Sequence, residues 1–73
     1  MSTELQRFLR IRTVEFVTGL KKSAIYDKIR EGEFPKPVPL GDSRNSPVGW
    51  LQSEISAWQS DRINRRPPTR TRS

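Results

Sequence analysis

The alternation of apolar and polar residues predicts two short helices joined by one tight turn near the N-terminus. An apolar-patterned segment at about residues 13–18 runs into Gly19, and glycine can adopt the positive φ that such a turn requires. A second helix at about residues 22–31 is indicated because Ile25 and Ile29 stand four positions apart and share one helical face. The pattern is typical of a helix-turn-helix.

Candidate caps set the limits of these two helices. Leu9 and Ile11 alternate with arginines, which predicts a short extended segment with its apolar side turned inward. Thr13 then offers a hydroxyl to begin the first helix. Gly32 follows the second helix, where glycine commonly ends a helix.

The second half of the chain predicts a β-hairpin and a third helix. The Phe-Pro-Lys-Pro segment at residues 34–37 must be extended because proline fixes φ and lacks an N–H group, and its phenylalanine is expected to cap the core. Alternating segments around Pro39 and Gly49 are separated by a polar loop at residues 41–47, which indicates a hairpin with the proline in an edge strand. A final helix is predicted at about residues 51–65.

The two tryptophans of this region are expected to lie in the core. Trp50 and Trp58 have apolar neighbours, and Ile55, Trp58 and Ile63 lie on or beside one face of the third helix. Base stacking by these indoles is the less favoured interpretation. The fold class that follows is mainly α with a small β-hairpin.

Composition narrows the function classes. The 73 residues suit one small domain and contain neither cysteine nor histidine, so thiolate chemistry and the commonest metal ligand are absent. No carboxylate pair is framed by a nucleophile or a glycine-rich loop, and we predict no catalytic residue, no metal and no cofactor. Without a signal peptide or a long apolar run, we expect a cytoplasmic protein with no membrane partner.

Most of the positive charge lies at the C-terminus. The net charge is +6, of which residues 1–61 contribute nine basic minus eight acidic side chains, or +1, and residues 62–73 contribute five arginines, or +5. We predict a flexible N-terminus at 1–6, a folded domain at 7–64 and a disordered basic tail at 65–73. The tail is either an arm that neutralises phosphates or a solubilising terminus.

Several fragments follow one another in a specific order and spacing. They are Arg7-Phe8-Leu9-Arg10, Thr18-Gly19-Leu20, Ser23-Ala24-Ile25-Tyr26, Gly32-Glu33-Phe34-Pro35-Lys36-Pro37-Val38, Leu40-Gly41, Val48-Gly49-Trp50, Ser53-Glu54-Ile55 and Ala57-Trp58. Their order resembles the AlpA family of phage-type regulators, and the resemblance covers residues 7 to about 63. It implies a winged helix-turn-helix similar to MerR-like domains and small phage excisionases. In that fold the second helix enters the major groove of double-stranded DNA, and the hairpin acts as a wing on the minor groove or the phosphates.

Family members activate prophage or genomic-island genes or act as excision factors. The resemblance therefore implies a sequence-specific DNA-binding transcriptional regulator, with integrase or RNA polymerase as further partners.

The chain departs from the family pattern at two places. Lys21 occupies a position where the family usually has a capping residue such as serine, and the wing loop is a residue or two longer than usual. Loss of the cap costs about 1 kcal/mol of helix stability.

Five candidate DNA contacts lie in the second helix or at its start. Lys21 and Lys22 place two ammonium groups beside free backbone N–H groups and the positive end of the helix dipole, which suits phosphate. Ser23, Asp27 and Arg30 occupy the solvent face. The arginine could take guanine O6 and N7, and the aspartate could accept from cytosine N4 or pair with a neighbouring cation.

Two further candidates are a tyrosine in the same helix and an arginine in the wing loop. Tyr26 either donates its hydroxyl to a phosphate, stacks against the wing, or covers the core edge. Arg44, in the wing loop, either reaches a phosphate or a narrow minor groove or remains a solvated loop residue.

Two alternatives to a DNA-reading regulator follow from the same sequence. The domain could be a protein-interaction module that binds a regulator or integrase without reading bases. An RNA-binding module is less favoured, because basic residues do not alternate with exposed aromatics. The sequence has no heptad pattern, so we expect a monomer in solution that binds DNA cooperatively.

Overall fold

The computed structural model describes residues 5–67 of the chain. The predicted N-terminal segment and basic tail therefore lie partly outside the described residues, at 1–4 and 68–73. No helix in the described part is both long and apolar enough to span a membrane. The described residues form three helices and three strands: β1 (Phe8–Leu9), α1 (Ile11–Thr18), α2 (Lys22–Arg30), β2 (Val38–Pro39), β3 (Val48–Leu51) and α3 (Gln52–Asn64).

The strands form one antiparallel sheet in the order β1-β3-β2. The predicted hairpin is confirmed: Pro39 pairs with Val48, and β2 is an edge strand that tolerates the missing N–H group. The predicted extended segment contributes a third strand, whose place in the sheet was not predicted: β1 pairs with the other edge of β3, with Leu9 opposite Trp50. Only Leu9 of the predicted extended segment lies in a strand, since Ile11 already begins α1.

The prediction that Thr13 begins the first helix is wrong. α1 starts two residues earlier, with Arg10 at the N-cap position, and within residues 5–67 no side chain caps it. The earlier start adds Ile11, which packs against the core together with buried Val14. Burial of an aliphatic side chain contributes about 1.5–3 kcal/mol, which exceeds the roughly 1 kcal/mol of a threonine cap.

Both predicted glycine stops are confirmed. Gly19 ends α1 with φ +77°, and Gly32 follows α2 with φ +75°. At the second stop, the N–H of Gly32 donates to the carbonyl of Ile29 at 3.0 Å, and that of Glu33 donates to the carbonyl of Lys28 at 2.8 Å. This pair of hydrogen bonds is the Schellman arrangement, which satisfies the last carbonyls of a helix.

The core is small and centres on Trp50. Among residues 5–67 it consists of five buried side chains, Val14, Ile25, Phe34, Trp50 and Ile55. Trp58 is only half-buried, so the prediction that both indoles lie in the core holds fully for Trp50 alone. Ile63 does not join the apolar face of α3 as expected, because it is 56% exposed near the end of the helix.

Both indoles fix the proline-rich corner that follows α2. The indole N–H of Trp50 donates to the carbonyl of Pro35, and that of Trp58 donates to the carbonyl of Glu33, each at 2.9 Å. Phe34 lies between these two carbonyls and packs edge-on against Trp58, with ring centroids 4.9 Å apart. The corner is thereby joined to both β3 and α3, which sets where α2 ends relative to the sheet.

Candidate nucleic-acid interface

The turn between α1 and α2 forms an open concavity, which we call the α1–α2 concavity. Gly19 reverses the chain, and Leu20 packs against the core and anchors the turn. Thr18 supports it further, because its hydroxyl donates to the carbonyl of Val14 at 2.7 Å and accepts from the N–H of Leu20 at 3.2 Å. The lining includes Arg12, Glu15, Phe16, Lys21, Lys22 and Ser23.

The start of α2 carries no side-chain cap among the described residues, which confirms the predicted loss at Lys21. Lys21 is the N-cap residue, with φ −82° and ψ 161°. The first backbone N–H groups of a helix have no partner within the helix, so here they add their positive partial charge to the ammonium groups of Lys21 and Lys22. Lys21, Lys22 and Ser23 are all exposed, and the structure brings these three predicted contacts together.

Asp27 and Arg30 form an ion pair with each other on the exposed face of α2. Of the two roles considered for Asp27, pairing with a neighbouring cation is the one seen in the free chain. The guanidinium of Arg30, the last residue of α2, is thus held over the solvent face by a carboxylate one turn earlier in the helix.

Tyr26 is half-buried and packs against the core. Its ring meets Trp50 edge-on, with centroids 6.2 Å apart and an interplanar angle of 64°. The geometry confirms the core-edge interpretation of Tyr26 and joins α2 to β3, whereas the phosphate contact stays a prediction.

Arg44 lies in the exposed loop between β2 and β3. At the base of this loop the N–H of Leu40 donates to the carbonyl of Pro47 at 2.8 Å. Inside it, Ser46 donates its N–H to the carbonyl of Ser43 at 3.0 Å and accepts from the N–H of Ser43 at 3.1 Å through its hydroxyl. Across residues 5–67 no hydrogen bond or ion pair joins Arg44 to α2, so this candidate stands apart from the others.

Arg12 and Phe16 line the same concavity as the lysines, and the sequence interpretation missed both. Phe16 was treated as part of an apolar segment, although it is 86% exposed. Helical geometry contained the signal: a residue two positions after buried Val14 lies about 200° around the helix and points away from the core.

Comparisons with known proteins agree with the resemblance found in the sequence. The sequence model of the family described as prophage CP4-57 regulatory protein (AlpA) matches residues 7–63. Uncharacterized protein ORF88 of Enterobacteria phage P4 is 48% identical over 58 residues, which are 80% of this chain and 62% of that protein. No solved structure matches the chain significantly.

A second relative carries a functional name. The DNA-binding transcriptional activator AlpA of Escherichia coli strain K12 is 36% identical over 62 residues, which are 77% of this chain and 84% of that protein. The chain thus spans most of the bacterial relative but less than two thirds of the phage P4 protein.

Proposed function

Because the chain belongs to the AlpA family of prophage regulatory proteins, we propose that it is a DNA-binding transcriptional regulator of phage or genomic-island genes. The observation that carries this proposal is the exposed, uncapped start of α2, where Lys21, Lys22 and Ser23 share one concavity. Two ammonium groups and unpartnered backbone N–H groups form a seat for a phosphate of the DNA strand.

We place α2 in the major groove, with its N-terminal half nearest the bases. On binding, Arg30 gives up its ion pair with Asp27 and contacts DNA instead. An exposed ion pair contributes at most about 1 kcal/mol, whereas a bidentate arginine–guanine contact discriminates by about 1–3 kcal/mol. The exchange is therefore favourable at a matching base pair, and at a mismatched one the ion pair with Asp27 reforms.

The hairpin is proposed to act as a wing, which makes the domain a winged helix-turn-helix. The edge-on contact between Tyr26 and Trp50 supports this arrangement because it couples α2 to β3. The Arg44 loop would then reach a phosphate or the minor groove.

One such domain buries only about 600–1,000 Å² on DNA. We therefore propose that monomers bind repeated sites cooperatively, with RNA polymerase or integrase as further partners. A role in excision would also require the protein to bend DNA. Migration of complexes on circularly permuted fragments tests this role, since a bending protein makes mobility depend on the position of its site.

The test of the regulator proposal is a titration of duplexes from the gene's own neighbourhood and of a random duplex of equal length and composition. Affinity is measured by fluorescence anisotropy at salt concentrations from about 50 to about 200 mM, because the affinity of a phosphate-binding protein falls strongly over this range. We expect one neighbourhood duplex to bind more tightly than the random duplex. We expect Lys22→Ala to make the dependence of log K on log salt flatter, with a slope about 0.9 smaller in magnitude. Lys36→Ala is the matched control, because this exposed lysine lies outside the concavity.

Equal affinity for neighbourhood and random duplexes at moderate salt would contradict the proposal. A protein-interaction module that binds an integrase or another regulator would then be the better description. A reduced salt slope for Lys36→Ala but not for Lys22→Ala would place the DNA-binding surface away from α2.

A further inference from the structure

Phe16 is the most exposed aromatic side chain among the described residues, with 86% of its surface accessible. It projects from α1 on the side opposite buried Val14, so the core does not require it. An isolated exposed apolar residue needs no special explanation. This one, however, lies in the α1–α2 concavity, where its neighbours are charged.

The charges around the ring are mainly positive. Arg12 lies one turn before Phe16 on the same helical face, and Lys21 and Lys22 stand across the turn. Glu15 is the one acidic residue of the lining, so these four side chains sum to three positive charges minus one negative, or +2. An apolar ring framed by cations complements a partner that presents apolar groups between negative charges. A DNA strand has this pattern, since deoxyribose groups separate its phosphates.

We propose that Phe16 is a DNA-contacting residue that packs on the deoxyribose groups of one strand. Arg12 holds a phosphate on one side of the ring, and Lys21 and Lys22 hold the next on the other side. The inference rests on the proposed function and adds α1 to the DNA-binding surface. It agrees with the way the first helix of a helix-turn-helix crosses the DNA backbone.

A sugar contact has a distinctive energetic signature. It strengthens binding without reading the sequence, because every nucleotide presents the same deoxyribose. It is also apolar, so it releases no counterions and leaves the salt slope unchanged. Arg12 should behave in the opposite way, with a slope that falls by about 0.9 when its charge is removed.

The first experiment measures the affinity of Phe16→Ala for the neighbourhood and random duplexes. We expect binding to both to weaken about tenfold, with an unchanged salt slope, which corresponds to about 1.4 kcal/mol. Burial of roughly 60 Å² of phenyl surface accounts for this loss. Ile63→Ala is the matched control, because Ile63 is an exposed apolar residue outside the concavity and its variant should bind within about twofold of wild type.

The second experiment replaces Phe16 or Ile63 with the photoreactive residue p-benzoylphenylalanine in the full chain. We expect irradiation to cross-link the label at position 16 to DNA and to leave the label at position 63 unlinked. If the wild type binds DNA, Phe16→Ala binds with the same affinity and the label at position 16 gives no cross-link, the contact by Phe16 is overturned and the proposed function stands. A wild-type protein that binds no duplex would overturn the proposed function and this contact with it.

Discussion

Replacement of Lys21 by serine should stabilise the protein and weaken its binding to DNA. Lys21 occupies the N-cap of α2 with extended backbone angles, φ −82° and ψ 161°, which are those of a capping residue. Its side chain has no acceptor for the free N–H groups of the first turn. A serine hydroxyl at this position can accept from one of them.

The stability gain has two parts. The new cap contributes about 1 kcal/mol. Removal of a cation from the positive end of the helix dipole contributes about 0.3–1 kcal/mol more. For a domain of this size each kcal/mol raises Tm by about 4–8 °C. Lys21→Ala separates the two parts, because alanine removes the charge without supplying a cap.

The effect on DNA has the opposite sign. Either substitution removes one phosphate-neutralising charge and lowers the salt slope by about 0.9. Raising the salt fourfold, from about 50 to about 200 mM, weakens DNA binding by the wild type. The same change should weaken binding by either variant less, with a loss of affinity about 3.5 times smaller than that of the wild type. The serine and alanine variants should therefore show the same salt slope, and the serine variant should bind DNA more weakly than the alanine variant because its hydroxyl occupies one N–H group that would otherwise face the phosphate.

Thermal unfolding monitored by circular dichroism measures Tm, and anisotropy titrations across the salt range measure the affinity for DNA and its salt slope. A serine variant no more stable than the alanine variant would show that the start of α2 does not lack a cap. A serine variant with the wild-type affinity and salt slope would show that Lys21 touches no phosphate.

Two further predictions concern the fold. Trp50→Phe leaves the carbonyl of Pro35 without its donor and should lower the free energy of unfolding, measured by urea titration, by about 1–3 kcal/mol. Trp58→Phe should lower it by less, because the hydrogen bond of Trp58 is exposed. Equal losses in the two variants would contradict this order. Gly19→Ala should cost about 1–2 kcal/mol of strain because φ is +77°. Apart from residue 19 and its two chain neighbours, no described atom lies within 4 Å of the new methyl group, so the cost comes from the backbone conformation and not from a collision. An unchanged Tm would mean that the turn is not left-handed.

Local chemistry explains which parts of the fold were predictable. Gly19 and Gly32 mark their helix ends because a positive φ strongly favours glycine, and the required angle belongs to a single residue. Pro39 identified its own edge strand in the same way, since the missing N–H group is a property of one residue. The spacing of Ile25 and Ile29 is also a local pattern, and it located α2 and with it the site that contains Lys21 and Lys22.

Features that depend on distant partners were not predictable. The alternation at Leu9 predicted an extended segment but not its partner, because the two-residue strand β1 forms by pairing with Leu51 and Trp50, which are distant in sequence. The start of α1 depends on the core that receives Ile11, which outweighs the local preference for a cap at Thr13. The outward direction of Phe16 follows from helical geometry only once Val14 is assigned to the core, and that assignment depends on the same tertiary packing.

The separation of core from charged surface explains why the binding residues can be changed without loss of the fold. The corner after α2 is held by the indoles of Trp50 and Trp58, and the turn before α2 is held by Leu20 and Thr18. None of these contacts involves the side chains of Lys21, Lys22 or Ser23. The two ends of α2 are thus fixed from the core side, while its exposed start is free to bind. Substitutions there should alter affinity and helix capping, and substitutions at the indoles should alter the fold.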